Sequence, residues 1–210
     1  MTNQVQFDLS TIVRERHAVK HFDPTHQLST EEVIYLLDTA NYAPSSWNLQ
    51  HWTFLAITDQ AAKEKLLPIA YGQKQVVEAS AVIAVLGNLQ ANRNAEAVFG
   101  PAVEAGLLPE KVKDSLIEQI EGAYANYAGL PREAAILNSS LAAMVLMLAA
   151  KEKGLDSCPI GGFNGDELIK AFNIPDQFVP VMLLPIGKAA IAAHPSSRMP
   201  VEQTIVWNGF

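Results

Sequence analysis

The chain has 210 residues, of which 49% are hydrophobic and 18% charged, with a formal net charge of −7. That is enough apolar material for one sizeable core, and the acidic balance excludes general nucleic-acid binding, which needs a broad basic surface. The single cysteine, Cys158, excludes an internal disulfide and a cysteine-rich metal site, and it fits a reducing, cytoplasmic setting.

The opening MTNQVQFDLS is polar where a signal peptide carries an apolar stretch. A first helix is expected over about 8–15, with Leu9, Ile12 and Val13 on one face. Residues 14–22, RERHAVKHF, then gather Arg14, Arg16, His17, Lys20 and His21 in a chain that is acidic overall. Cations at a helix end are favoured on general grounds. In an extended segment, however, Arg16, Ala18 and Lys20 share one side, and two cations on one side suit a small anion. STEE at 29–32 reads as a capping box that opens a second helix with Val33, Leu36, Leu37 and Ala40 inward, ending before Pro44.

The loop NYAPSSWNLQHW, 41–52, carries Pro44, Ser45, Ser46, Asn48 and Gln50. Short hydroxyl and amide groups there suit a flat polar ligand, or equally cap neighbouring helices. TFLAIT at 53–58 reads as a strand, a short helix follows at about 60–69, and the continuous apolar run 81–87 reads as a central strand. From about 94 to 153 the pattern is helical, broken near 106–109 and 129–131. Within it, LAAMVLMLAA at 141–150 is too short to cross a bilayer and reads as a buried helix. A short strand at 156–160 leads into SCPIGGF, 157–163, whose glycines allow close approach of backbone to a ligand. A helix at 165–172, a strand at 178–187, Arg198 within HPSSRMP and the apolar tail TIVWNGF complete the chain. Such a tail usually packs on something, and a partner subunit is one candidate.

Strands separated by long helical stretches indicate a layered α/β or α+β domain. Neither GxGxxG nor GxxxxGK[ST] is present, so a Rossmann or P-loop site is not supported. His17 and His21 stand four apart without a third ligand, which argues against a metal. Cys158 has no acid or base beside it in sequence and reads as an inert buried thiol rather than a nucleophile.

Each stretch alone also fits a helix end or a turn. In this order and spacing, RHAVKHF, APSSWNLQHWTF, PIGGF and SSRMP resemble the nitroreductase family over about residues 8–205. The resemblance implies an α+β fold, with a central, mostly antiparallel mixed sheet flanked by helices, in an intertwined homodimer. It implies one domain over 1–210 with a helical cover at about 94–130, where Phe99, Tyr124 and Tyr127 are the aromatics. The implied cofactor is FMN, held without a covalent link. Arg16, His17 and Lys20, with Ala18 between them, would contact it, Arg16 on the phosphate or ribityl side and Lys20 at the pyrimidine edge. Pro44, Ser45, Ser46, Asn48 and Gln50 would line the flavin, Ser45 and Ser46 from the neighbouring subunit. Gln73 or Gln75 would hydrogen-bond the ring. Pro159, Ile160, Gly161 and Gly162 would cover one ring face, a backbone N–H of the glycine pair approaching N5, and Arg198 would bind the phosphate. No catalytic side chain is implied, because the flavin carries the hydride.

The implied reaction is ping-pong hydride transfer from NAD(P)H to a nitroaromatic, quinone or similar flat acceptor. Alternatives are another reaction on the same fold, such as flavin reduction or dehalogenation, or a non-enzymatic flavin-binding module. The chain departs from many members at Ala18, where Ser or Arg is common, at Ser196, where Lys is common, at Gly161, where Glu is common, and at Gln75, where a second Lys often stands.

Overall fold

The computed structural model describes residues 8–210, so most of the polar opening segment lies outside the described residues. Helix α1, Leu9–Glu15, starts at Asp8, whose carboxylate accepts the Thr11 N–H at 2.9 Å. Helix α2, Thr30–Ala40, has the full capping box. Glu32 N–H donates to Ser29 Oγ at 3.2 Å, and Ser29 N–H donates to Glu32 Oε2 at 2.8 Å.

Strands β1 (Trp52–Ile57), β2 (Ala81–Asn88), β3 (Asp156–Ser157) and β4 (Phe178–Gly187) form one sheet in the order β1-β2-β4-β3. All three strand pairs are antiparallel. The parallel element of the expected mixed sheet is one isolated bridge, Ala18 to Ser157. β3 is shorter than the expected 156–160 strand. Pro159 has no N–H to offer a ladder, and the chain pairs again only at Ile160, against Leu183.

β2 is buried nearly end to end, and its alternation divides the run between two layers. Val82, Ala84 and Leu86 face α3 (Gln60–Ile69), α4 (Gln75–Glu78) and α8 (Gly165–Phe172), packing with Leu66, Val76 and Leu168. Ala81, Ile83 and Val85 face α2 and α7 (Leu130–Glu152), packing with Leu36, Leu146 and Met147. α4 is not foreseen from sequence, because four residues carry no readable period.

By length and composition α7 could cross a membrane, but here it is a core helix for half its circumference. Its small residues Ala134, Ala135, Ala142 and Ala143 let it lie close on the sheet. A Cβ on Gly87 would stand 2.9 Å from the Ala135 carbonyl oxygen. The opposite stripe, Leu137, Leu141 and Met144, is left exposed. α5 (Ala95–Glu104) and α6 (Glu110–Asn126) form a hairpin beside the sheet. Lys113 joins them, reaching Glu110 at 2.7 Å and Glu96 at 3.0 Å. Their own small core holds Leu49, Ala95 and Ile120 with Phe99 and Tyr124 against it, while Tyr127 is exposed.

Candidate functional site

The basic segment leaves α1 extended and becomes an added edge of the sheet. Val19 N–H donates to the Ser157 carbonyl at 3.1 Å, Asp23 N–H to that of Lys188 at 2.9 Å, and Ala190 N–H to that of His21 at 2.9 Å. The Glu78 carboxylate, at the end of α4, accepts the Phe22 N–H at 3.3 Å. Val19 and Phe22 are buried, which fixes the register of everything between them. Ala18, Lys20 and His21 then line a cavity of about 510 Å³ with Ala192, Ala193 and Ser196. Arg16 Nη1 and His17 Nδ1 are buried without a protein partner, and Lys20 has no carboxylate partner among the described residues. In a folded protein such donors are normally satisfied. Their state here fits an anionic, hydrogen-bonding cofactor.

Cys158 lies beside the same cations. Burial pushes its thiol pKa up, and Lys20, Gln75 and Arg16 pull against that shift. The thiol is buried, which suits packing and not nucleophilic attack. After it, Cys158 N–H donates to the Pro185 carbonyl at 3.1 Å and Ile160 N–H to that of Leu183 at 2.8 Å, so the approach to the glycine turn is clamped to β4. Pro159 is exposed and Ile160 is in the core. Gly161 and Gly162 are exposed, and a Cβ on either would meet nothing within 4 Å. Neither donates its N–H to a protein atom among the described residues. This is open backbone of the kind a flat ring can approach.

Gln73 and Gln75 are placed by α4 and the turn before it. Gln73 Nε2 donates to the Gly162 carbonyl at 2.8 Å and to that of Ala70 at 3.0 Å. Its Oε1 accepts from Gln75 Nε2 at 3.2 Å. The structure thus engages Gln73 with the backbone of the glycine turn.

The loop 44–50 is built differently. Trp47, Asn48 and Gln50 all take positive φ (51°, 55° and 49°), a conformation side chains disfavour and only a well-held loop retains. It is well held. Ser46 N–H donates to Asn138 Oδ1 at 2.9 Å, Gln50 N–H to Ser45 Oγ at 3.0 Å, and Asn94 Nδ2 to the Leu49 carbonyl at 2.8 Å. Asn138 and Asn94 are supporting residues that sequence reading passed over. A signal existed for Asn138, an amide at helical spacing between Ala135 and Ala142 on the small-residue stripe of α7.

Within one chain the two halves of the expected site do not meet. The loop enters β1 at one edge of the sheet, while the basic segment and the glycine turn lie along β3 and β4 at the other. Three strand spacings make that about 14 Å across the sheet alone. Arg198 is exposed and, among the described residues, donates only to carbonyls of its own loop, at 2.9 Å to that of Ser197. It lies two residues past Ser196 in the cavity wall.

The sequence matches the model of the Nitroreductase family over residues 13–188. YodC of Bacillus subtilis (strain 168), which carries the name of an NAD(P)H nitroreductase, is 47% identical over 196 residues, covering 93% of this chain and 96% of its own. A crystal structure from Exiguobacterium sibiricum 255-15, described as a nitroreductase in complex with FMN, superposes with a TM-score of 0.91 at 40% identity, over 99% of this chain and 100% of that one. The CLA biosynthesis enone reductase of Lactiplantibacillus plantarum is 29% identical over 192 residues, 90% of this chain and 88% of its own. With the basic edge, the open glycine turn and the layered sheet all in place, this chain belongs to the nitroreductase family.

Proposed function

We propose that the protein is an FMN-dependent oxidoreductase that takes hydride equivalents from NAD(P)H and passes them, ping-pong, to a nitroaromatic, quinone or similar flat acceptor. The observation that carries this is the pair of buried nitrogens without a protein partner, Arg16 Nη1 and His17 Nδ1, on the segment that also carries Lys20; Arg16 and Lys20 both act on Cys158, which leads into the open Gly161–Gly162 turn. When bound, FMN supplies the two-electron hydride carrier. Arg16 and Arg198 hold the phosphate end. Lys20 sets a fixed positive charge at the pyrimidine edge, where reduction concentrates negative charge. The glycine turn presents backbone N–H groups toward N5.

Pro44, Ser45, Ser46, Asn48 and Gln50 complete the site from a second copy of the chain. The separation of the loop from the basic edge supports this, as do the apolar groups each chain leaves uncovered on α7 and in the tail, where Trp207 is 80% exposed. The α5–α6 hairpin is the cover over the slot. The setting is the cytoplasm. Relatives named both nitroreductase and enone reductase leave acceptor choice to the slot.

The test is a visible spectrum of the purified protein followed by anaerobic NADH or NADPH. Flavin bands that bleach are expected. Colourless protein that takes up no added FMN would overturn the proposal. Steady-state rates with a nitroaromatic, a quinone, an enone and free flavin then separate the acceptor classes.

A further inference from the structure

We propose that Gln73 is a positioning residue that clips the Gly162 carbonyl and so aims the backbone N–H groups of the glycine turn at the redox-active edge of the flavin. This rests on the FMN reading above. The turn has firm anchors on either side. Ile160 and Leu183 exchange hydrogen bonds of 2.8 and 3.0 Å before it, and Asn164 N–H donates to the Ile69 carbonyl at 2.9 Å after it. Between those anchors, the Gln73–Gly162 contact is the one hydrogen bond to the turn among the described residues. Two adjacent glycines with open space around them have no packing to hold them and a wide range of φ and ψ. Left to itself the pair would sample many orientations of its N–H groups.

The clip removes that freedom. A peptide unit is planar and trans, so its C=O and N–H point in opposite directions. Holding the Gly162 carbonyl toward Gln73 therefore turns the Phe163 N–H away from it, and with the chain also fixed at Ile160 it narrows the orientations left to the Gly161–Gly162 peptide between the two points. Gln73 is itself held in one orientation. Its Nε2 faces two carbonyl oxygens, and a flipped amide would put oxygen against oxygen at both. Its Oε1 is taken by Gln75, which is buried at the base of α4. Every polar atom of the Gln73 amide is thus committed to protein, and its influence on the cofactor passes through the turn. Neither Gly161 nor Gly162 has a side chain with which to hold the turn, so control of its orientation comes from outside it.

The test uses FMN-loaded protein reconstituted with ¹⁵N-labelled FMN, comparing wild type with Gln73→Met, which removes both donors at similar volume, and Gln73→Lys, which keeps a donor. The N5 chemical shift of the bound flavin reports the hydrogen bond it receives. In Gln73→Met it is expected to move toward that of free FMN, with FMN affinity within about threefold of wild type because the phosphate end is untouched. Gln73→Lys is expected to stay near wild type. In anaerobic stopped-flow, the limiting rate of flavin reduction is expected to fall about tenfold in Gln73→Met with unchanged affinity for NAD(P)H, a split set by geometry at the reacting atoms. An N5 shift unchanged in Gln73→Met overturns the inference. So does loss of FMN binding in that variant, or an equal shift in Gln73→Lys. Wild-type protein that binds no FMN overturns the cofactor reading first, before any variant is compared.

Discussion

His51 precedes β1, has no solvent exposure, and has no protein partner on either ring nitrogen. Its backbone carbonyl, by contrast, takes the Asn88 N–H at 2.6 Å and the Ser139 hydroxyl at 3.2 Å. Burial disfavours the charged ring and lowers its pKa from 6.5 to about 4. Between those values the unfolded chain holds a proton that the folded chain does not, so stability falls as pH falls through the window. Above pH 6.5 there is no penalty. By pH 4 it is on the order of 3 kcal/mol. Urea melts at pH 7.5 and 4.5 should show a smaller acid loss in His51→Gln than in wild type, and an equal loss would assign the acid sensitivity elsewhere. Tyr124 is a second orphan, with burial pushing its hydroxyl up to about 12 and no partner for the oxygen. Tyr124→Phe should raise stability by about 1 kcal/mol in the same melts. Neither feature could be read from sequence, since a lone histidine in a loop and one tyrosine in a helix give no sign of what surrounds them.

At the scale of elements, local rules written in the sequence were legible and tertiary ones were not. Ser29 and Glu32 announced α2 by spacing alone, and the reciprocal hydrogen bonds are present. Ser29→Ala should cost about 1 kcal/mol, read as a shift in urea midpoint with unchanged slope. The continuous apolar run of β2 likewise marked a central strand. The early end of β3 was missed although its cause, Pro159, was in view, because an apolar run hides a missing donor. Gly87 looked like any strand residue, yet α7 crosses it with no room for a side chain. Gly87→Val should destabilise by about 1–3 kcal/mol through overpacking, and a thermal melt indistinguishable from wild type would show that α7 can shift.

For the whole molecule, motif order identified the family before any geometry was known, because a site assembled from distant segments leaves a trace at each. Which of those segments share one chain was not legible. The structure places Ser45–Gln50 and Arg16–Lys20 on opposite edges of one sheet, and sequence spacing carries no such information. The proposed two-copy site would resolve the separation, and it can be tested. The double substitution Leu137→Glu with Leu141→Glu puts like charges on the uncovered stripe of α7. Light scattering should then report a monomer, and FMN uptake should fall at least tenfold because half of each site has gone. A monomer that binds FMN as well as wild type would sink the two-copy site.

α7 also sets where the chain can change its length. A helix turns by about 100° per residue, and the two sides of α7 do unlike jobs, Ala-lined against Gly87 and Leu-lined outward. Deleting one residue near Ser140 would rotate the remaining turns, driving Leu148 toward the sheet and carrying Met147 away from its pocket. The turn at Gly106, with positive φ and open space around it, imposes no such phase. Natural length variation and engineered insertions should therefore collect there, while α7 keeps its residue count as strictly as its composition.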